Sequence, residues 1–147
     1  MRFASRSIVL RLGARAALAA LLVATSHADA PPASLVLYVI CNPSVEVSEE
    51  DLRDVFLGER QFAGDVHLTP VDNRAAQPVF LERVLKMTPA KYSTTWTKKS
   101  FRDGVNPLPV KGSNAETIEF VRREVGACSY VTTTPGAGVR VILNSTG

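Results

Sequence analysis

The stretch LVLYVIC, residues 35–41, is a continuous run of apolar and β-branched residues that ends at Asn42-Pro43. An apolar run without polar alternation predicts a strand that is buried on both faces. A strand covered on both faces belongs in a layered arrangement of sheet and helices. We therefore expect the neighbouring segments to supply helices and further strands around it.

The segment after this strand carries the signals of a helix start. Ser48 precedes three acidic residues, 49–51, which is the pattern of an N-cap followed by an acidic first turn. Gly58 is a natural stop, because glycine readily adopts the left-handed conformation that ends many helices. These signals predict a helix over residues 49–57.

A later helix is predicted to start at Thr88-Pro89, an N-cap followed by a first-turn proline. Tyr92 and Trp96 lie four residues apart and therefore share one face of this helix, which we expect to end near Lys99. Aromatic residues at this spacing either stack on a sugar or pack in the core. The spacing favours the core.

The remaining elements complete an α/β pattern. A capping box of Ser113 and Glu116 predicts a last helix. Further strands are predicted at 66–71, 127–133 and 139–143, with a helix around Phe80, a loop at 102–112, and the last two strands as a possible hairpin. The order β-α-β-α-α-α-β-β predicts an α/β layer fold, with a small mixed β-sheet flanked by about four helices.

The first 28 residues have the pattern of a secretory signal peptide. Arginines precede an uninterrupted apolar run at 16–24, which is too short to cross a bilayer that needs roughly 20 helical residues. Small residues follow, and Ser26-His27-Ala28 places the expected cut after Ala28. We therefore expect a signal peptide at 1–28 and one exported, periplasmic domain at 29–147.

The basic excess of the chain belongs to this segment. The net charge of +3 comes from 17 basic and 14 acidic residues, but four arginines lie in the first fifteen positions and no acidic residue precedes Asp29. Removing those four leaves 13 basic against 14 acidic residues, a charge of −1. A nearly neutral domain argues against nucleic acid as a partner. Lys98, Lys99 and Arg102 are interpreted as a solvated helix end.

Two cysteines, Cys41 and Cys128, lie in predicted strands. Export into an oxidising compartment would allow a disulfide between them. The alternative is a pair of buried thiols that act as small apolar residues. The sequence leaves both readings open.

The chain lacks the residue patterns of common enzymes and metal sites. His67 is the one histidine beyond residue 28, and no CxxC, P-loop, G-x-S-x-G or G-x-G-x-x-G motif occurs. A catalytic triad would need His67, which lies in a predicted strand and is interpreted as solvent-facing. We expect a non-catalytic protein without metal or cofactor.

Some polar residues lie where a protein can hold an anion. Asn42, Ser44, Ser48 and Ser113 stand at strand ends or helix N-termini, where free N–H groups favour negative ligands. They are candidate ligand-binding residues for a small oxyanion. Such caps also occur in α/β proteins that bind no anion.

The ordered motifs VSEEDLRDVFLGER, PVD, FLERVLKMTPAKYSTTWTKKSFRDG and VGACSYV resemble the short substrate-binding-like relatives of periplasmic phosphate-binding proteins. That family carries similar blocks in the same order, and the resemblance covers about residues 35–131. It implies one lobe of a type II periplasmic-binding-protein-like fold. It also implies an exported oxyanion binder related to components of ABC transporters, with a membrane transporter or sensor as partner.

The resemblance also points to two positions before Phe80. Relatives carry a G-S-x-x-R pattern there, at the start of a helix whose N-terminus would face the anion. Arg74 and Gln77 occupy the serine and arginine positions of that pattern. The resemblance implies that Arg74 either supplies charge to the anion or is only a surface arginine. A degenerate interaction module without a small ligand is the alternative function.

Overall fold

Eight strands and four α-helices follow one another along residues 34–147, the part of the chain that the computed structural model describes. The predicted signal peptide at 1–28 lies outside the described residues. The elements are β1 (Val36–Cys41), α1 (Leu52–Phe56), β2 (Phe62–Ala63), β3 (Val66–His67), β4 (Thr69–Pro70), β5 (Asp72–Asn73), α2 (Gln77–Phe80), α3 (Pro89–Asp103), β6 (Val110–Lys111), α4 (Asn114–Arg123), β7 (Ala127–Val131) and β8 (Arg140–Thr146). A 3-10 turn at Glu49–Asp51 leads into α1, and a π-helical turn at Leu81–Leu85 continues α2.

The main sheet has four strands in the order β4-β7-β1-β8. β1 runs antiparallel to both β7 and β8, whereas β4 runs parallel to β7. Leu37, Val39 and Ile40 of β1 are fully buried, as the continuous apolar run predicts. The mixed sheet and its helices confirm the predicted α/β class. No helix within residues 34–147 combines the length and apolar character needed to cross a bilayer.

Three local predictions were wrong in detail. β8 pairs with β1 and not with β7, so the last two strands do not form a hairpin, because β1 offers β8 a pairing partner along its whole length. α3 continues to Asp103 and stops at Gly104, whose left-handed backbone (φ 69°) ends the helix. The predicted loop at 102–112 also contains β6, which pairs with β5.

The predicted strand at 66–71 is divided in two at Leu68. The backbone N–H of Leu68 donates to the carbonyl of Gln61, within the β2–β3 hairpin. The next N–H, that of Thr69, donates to the carbonyl of Gly126, which leads into β7. The chain therefore changes hydrogen-bonding partner between two consecutive residues, and one strand cannot span the change.

Cys41 and Cys128 form a disulfide across the β1–β7 pair. The two residues lie directly opposite each other in the antiparallel register, with their Cα atoms 4.1 Å apart. Both are fully buried, so the bond lies inside the core. The sequence left open a disulfide or two buried thiols, and the structure contains the disulfide.

Loss of this disulfide should destabilise the domain. The bond joins residues that are 87 positions apart, so it removes many conformations from the unfolded chain. We expect the Cys41→Ala/Cys128→Ala variant to lose about 2–4 kcal/mol of unfolding free energy in urea titrations. Reducing agent should produce a similar loss in the unchanged protein and none in the variant. Two free thiols in the mass spectrum of the non-reduced protein would contradict the prediction.

Gly126 lies where the β3 backbone comes very close to the entry to β7. Its φ is 83°, and a Cβ at this position would overlap the carbonyl oxygen of His67. That contact is with backbone, which cannot rotate away as a flexible side chain would. The β3 backbone is thereby held against the entry to β7, next to the point where β4 begins to pair.

A Gly126→Ala substitution should therefore destabilise the protein by more than about 2 kcal/mol, through both strain and overlap. Gly136 is the matched control, since its φ is 72° and a Cβ there would meet nothing within 4 Å. We expect Gly136→Ala to cost only about 1 kcal/mol, the conformational term alone. Equal losses for the two variants in chemical denaturation would refute the argument from close approach.

Candidate functional site

The carboxyl ends of three strands meet at one edge of the molecule. β5 runs parallel to β6, with Asp72 opposite Val110 and Asn73 opposite Lys111. The segment from β4 through β5 also follows β7, because the N–H of Val71 donates to the carbonyl of Cys128. In α/β folds, ligands bind outside the carboxyl ends of parallel strands. This edge, called the carboxyl edge below, is the candidate functional site.

Two helices begin at the carboxyl edge. α2 starts at Gln77, four residues after β5, and no side chain caps its N-terminus. α4 starts at Asn114, three residues after β6, and its N-cap is Ser113. The N–H groups of a first helical turn carry partial positive charge, so both starts favour negative charge nearby.

A buried network of amides joins these elements. The side-chain Nδ2 of Asn73 donates to Oδ1 of Asn114 at 2.8 Å and to the carbonyl of Tyr130 at 3.0 Å. Asn114 in turn donates from Nδ2 to Oγ1 of Thr132 at 3.0 Å, and its Oδ1 accepts from the N–H of Thr132 at 3.1 Å. The start of α4 is therefore fixed to the ends of β5 and β7.

The charges at the carboxyl edge have both signs. Arg74 is exposed, and its backbone N–H donates to the carbonyl of Lys111 at 2.9 Å, which fixes the residue at the end of β6. The ammonium of Lys111 lies 4.3 Å from the centre of the Phe120 ring. Glu116 is the opposing charge, because its Oε2 accepts from the N–H of Gly112 at 2.9 Å. The predicted capping box is therefore altered on one side, because the Glu116 carboxylate accepts from Gly112 and not from the N-cap residue Ser113. The other side is as predicted, with Ser113 Oγ accepting from the N–H of Glu116.

The structure separates five of the six predicted site residues into two groups, and Ser48 belongs to neither. Arg74, Gln77 and Ser113 lie at the carboxyl edge, at or just before the two helix starts. Asn42 and Ser44 lie at the opposite end of the sheet, where β1 ends and β7 begins. Antiparallel pairing of β1 with β7 makes this separation unavoidable, since the two strands end at opposite edges.

The polar groups of Asn42 and Ser44 are used within the fold. Asn42 donates from Nδ2 to the carbonyls of Val121 and Arg122 at 3.0 and 3.2 Å, and these carbonyls belong to the last turn of α4. Oγ of Ser44 accepts from the N–H of Gly126 at 3.1 Å. Both side chains therefore support backbone groups.

Ser48 stands before the 3-10 turn that leads into α1. Its N–H and Oγ both donate to the carboxylate of Asp51, at 2.8 and 2.9 Å. These hydrogen bonds lower the pKa of Asp51 below 3.8, and so does the nearby Arg60 guanidinium. An ionised carboxylate already occupies the place where an anion would have to sit, so Ser48 is a structural N-cap.

The most buried charged side chain of residues 34–147 lies directly under the carboxyl edge. Asp72 is 3% exposed and accepts hydrogen bonds from the hydroxyls of Tyr92 at 2.9 Å and Tyr130 at 2.8 Å. Burial raises the pKa of the Asp72 carboxyl above 3.8, although both hydroxyl hydrogen bonds act in the opposite direction. Burial and the neighbouring carboxylate raise the pKa of both tyrosines, which therefore remain hydrogen-bond donors.

Sequence reasoning gave no role to Asp72, Asn73, Asn114 and Thr132. A usable signal was present for the first two, because polar residues directly after an apolar stretch mark the end of a buried strand. The other two depend on pairings across 41 and 18 residues, which a local pattern does not specify.

Other predicted residues have structural roles. Tyr92 and Trp96 are buried in the core, which confirms the core reading of their spacing. His67 is exposed on β3 and its ring packs edge-on against Phe62, 5.1 Å between centroids. Lys99 is not solvated as expected: it is 7% exposed, and its Nζ contacts Glu59 at 3.0 Å.

Among residues 34–147, no three histidine, cysteine or acidic side chains are grouped as a metal site requires.

No protein-family model matches the chain, and no curated protein matches it in sequence. Its fold resembles that of several solved structures, including the following two. PstS from Borrelia burgdorferi shares 16% identity at a TM-score of 0.48, over 67% of this chain and 41% of that one. An ABC-type phosphate transport receptor from Vibrio cholerae shares 16% identity at a TM-score of 0.46, over 74% and 46%. The chain spans less than half the length of either protein.

Ionisation of Asp72 should reduce stability as the pH rises. Because its pKa is higher in the folded than in the unfolded state, the folded protein is favoured by protonation, and this contribution is lost between about pH 4 and the raised pKa. We expect Asp72→Asn to gain stability relative to the unchanged protein across this window in urea titrations. Asp65→Asn, which removes an exposed carboxylate, controls for the change in charge. The prediction would be contradicted if the unfolding free energy of Asp72→Asn, relative to that of the unchanged protein, fell as the pH rises.

Proposed function

We propose that this protein is an exported, non-catalytic substrate-binding-like protein that holds a small oxyanion, with phosphate as the first candidate, at the carboxyl edge. The observation that carries the proposal is the meeting of two helix starts at the ends of β5 and β6. The 2.8 Å hydrogen bond between Asn73 and Asn114 joins the end of β5, four residues before α2, to the start of α4. Helix N-termini are common anion-binding elements because their N–H groups point outward.

Arg74 supplies the charge in this proposal. It is exposed between the end of β5 and the start of α2, and within residues 34–147 no carboxylate pairs with it. An arginine can hold an oxyanion with two parallel hydrogen bonds. Gln77 and Ser113 add an amide and a hydroxyl at the helix starts. Arg74, Gln77 and Ser113 therefore form the proposed binding set.

Export is supported by the disulfide and by the signal pattern of the first 28 residues. Structural disulfides persist in oxidising compartments such as the bacterial periplasm and are rare in the cytosol. The buried Cys41–Cys128 bond is of the structural kind. We therefore propose a periplasmic location and a membrane transporter or sensor as the partner protein.

A second candidate function is supported by Glu116. Its carboxylate accepts from the N–H of Gly112 at the start of α4, which reduces the attraction of this start for an anion. The alternative is an interaction module that contacts a membrane sensor, transporter or envelope protein without a small ligand. Capture of one specific membrane protein from envelope extracts, together with no oxyanion binding, would favour this candidate.

Isothermal titration with phosphate and sulfate tests the leading proposal. We expect binding in the millimolar range or tighter, and Arg74→Ala should weaken it about 5- to 10-fold by removing a charge-assisted contact. Glu116→Gln should strengthen it about 2- to 5-fold, because a negative charge near the helix start is removed.

Arg123→Ala is the matched control for charge. Arg123 is exposed at the last turn of α4, ten residues after Ser113 and thus roughly 15 Å along the helix. Its removal should leave the affinity for phosphate unchanged. Absence of heat at millimolar phosphate and sulfate would reject the proposal, and so would equal losses for the Arg74 and Arg123 variants.

A further inference from the structure

The helix α3 carries an uneven share of the charge of the domain. Its four basic residues oppose one acidic residue, so the helix has a net charge of +3. The basic residues are Lys91, Lys98, Lys99 and Arg102, and the acidic residue is Asp103. Residues 29–147 together have a charge of −1, which leaves −4 for the rest of the domain. Positive charge is therefore concentrated on this helix.

One side of α3 faces solvent along its length. Four side chains on that side form a row, called the α3 stripe below, which consists of Lys91, Thr94, Lys98 and Phe101. Their spacing of three, four and three residues places them on the same face of the helix, over about 15 Å. All four are exposed, whereas the buried residues of α3 lie on the opposite side of the helix.

The two lysines of the α3 stripe have no acidic partner. Within residues 34–147, neither Lys91 nor Lys98 forms an ion pair. The other two basic residues of the helix are each paired with carboxylates. The positive charge that remains available to a partner is therefore on the stripe.

Lys91 lies where a positive charge does not favour the helix. It is the third residue of α3, and the first turn of this helix contains no acidic residue. A helix N-terminus already carries partial positive charge, so acidic residues stabilise it and a lysine does not. α4 has Glu116 in its first turn, and the 3-10 turn before α1 has three acidic residues. An external anionic partner explains the charge at Lys91 better than helix stability does.

Phe101 adds an apolar group at the end of the stripe. Its side chain is 88% exposed, the highest value among the large apolar side chains that residues 34–147 expose. Lys98 lies one turn before it on the same face. An exposed aromatic ring next to basic residues is typical of helices that lie on anionic membranes, where the ring enters the boundary between headgroups and acyl chains.

We propose that the α3 stripe docks the protein on an anionic phospholipid surface. Lys91 and Lys98 contact the headgroup phosphates, and the ring of Phe101 inserts between the lipids. A bilayer suits this row because lipids move laterally, so the headgroups can match the spacing of the lysines without a preformed site. A protein partner would need a pocket for Phe101 and carboxylates at a fixed spacing.

This proposal does not depend on oxyanion binding at the carboxyl edge. None of the proposed binding residues Arg74, Gln77 and Ser113 belongs to the α3 stripe. The Arg74→Ala variant should therefore bind vesicles as the unchanged protein does. Phosphate titration can fail while vesicle binding is observed, and the reverse also holds.

Cosedimentation with lipid vesicles tests the proposal on protein expressed from the full-length chain. We expect vesicles of equal parts phosphatidylglycerol and phosphatidylcholine to bind the protein at least about 10-fold more tightly than pure phosphatidylcholine. Raising the salt from about 50 to 300 mM should weaken this binding at least about 5-fold, because salt screens exposed charges. Mass spectrometry checks that all samples have the same N-terminus, since the apolar run at 16–24 would itself bind lipid.

The contribution of the aromatic ring is tested by Phe101→Ser. This variant should bind the anionic vesicles at least about 5-fold more weakly, because it loses the inserted ring. Phe62→Ser is the matched control, since Phe62 is also exposed, at 54%, but lies on β2. Its affinity for the vesicles should stay within about 2-fold of the unchanged protein.

The contribution of charge is tested by Lys98→Glu. This variant reverses a charge of the α3 stripe and should weaken binding to anionic vesicles at least about 10-fold. Arg123→Glu makes the same change in net charge at the exposed end of α4 and should leave the affinity within about 2-fold. Both changes are on the surface, so both variants should fold.

Four results would overturn the proposal. The first is no binding to anionic vesicles at millimolar lipid. The second is equal binding to anionic and neutral vesicles, because charge would then have no role. The third is equal losses for the stripe variants and their controls, because another surface would then bind the lipid. The fourth is binding only to membranes that contain protein, which would indicate an acidic protein as the occupant.

Discussion

The carboxylate of Asp72 joins three parts of the chain that are far apart in sequence. It receives the hydroxyl of Tyr92 from α3 and that of Tyr130 from β7, while Asp72 itself lies on β5. Tyr130 also stacks on Phe80 at 3.9 Å between ring centroids, which brings α2 against the same point. The positions of α2, α3 and β7 around the carboxyl edge therefore depend on one buried charge and its two donors.

Such an arrangement is costly unless its polar groups are satisfied, because a buried carboxylate without hydrogen bonds would favour unfolding. The two hydroxyls reduce this cost, yet burial still raises the pKa of Asp72. The disulfide between β1 and β7 acts on the same sheet from the opposite end. A covalent constraint on the unfolded chain can compensate for a polar core that is less favourable than an apolar one.

The sequence allowed prediction of elements whose signals are local. The apolar run of β1, the N-caps Ser48, Thr88 and Ser113, and the glycine stop after α1 each act within a few residues. The pairing of β8 with β1 could not be predicted in the same way, because both edges of β1 were open to a late strand. The division of the 66–71 strand depends on which distant carbonyl accepts each N–H. The local sequence does not determine that partner.

The prediction of site residues was limited in the same way, because a local pattern does not show which polar residue faces a ligand. Serine and asparagine were selected because they cap helices and bind anions through the same atoms, and a local pattern cannot separate these uses. Asn42, Ser44 and Ser48 direct those atoms to backbone groups or to Asp51. Arg74 and Gln77, which the family resemblance indicated, lie instead where two helices begin. Long-range register therefore decides which of several chemically equal residues can face a ligand.

A domain with a charge of −1 provides no general attraction for anions, so any selectivity has to come from groups within about one Debye length, roughly 10 Å at 0.1 M salt. Exposed Arg74 and Glu116 act at that range with opposite signs, and salt weakens both. Asp72 is buried, so salt screens its charge less than it screens the two exposed charges. The molecule thus combines an outer edge, where single surface charges change a weak electrostatic field, with a buried carboxylate whose ionisation is opposed by its burial.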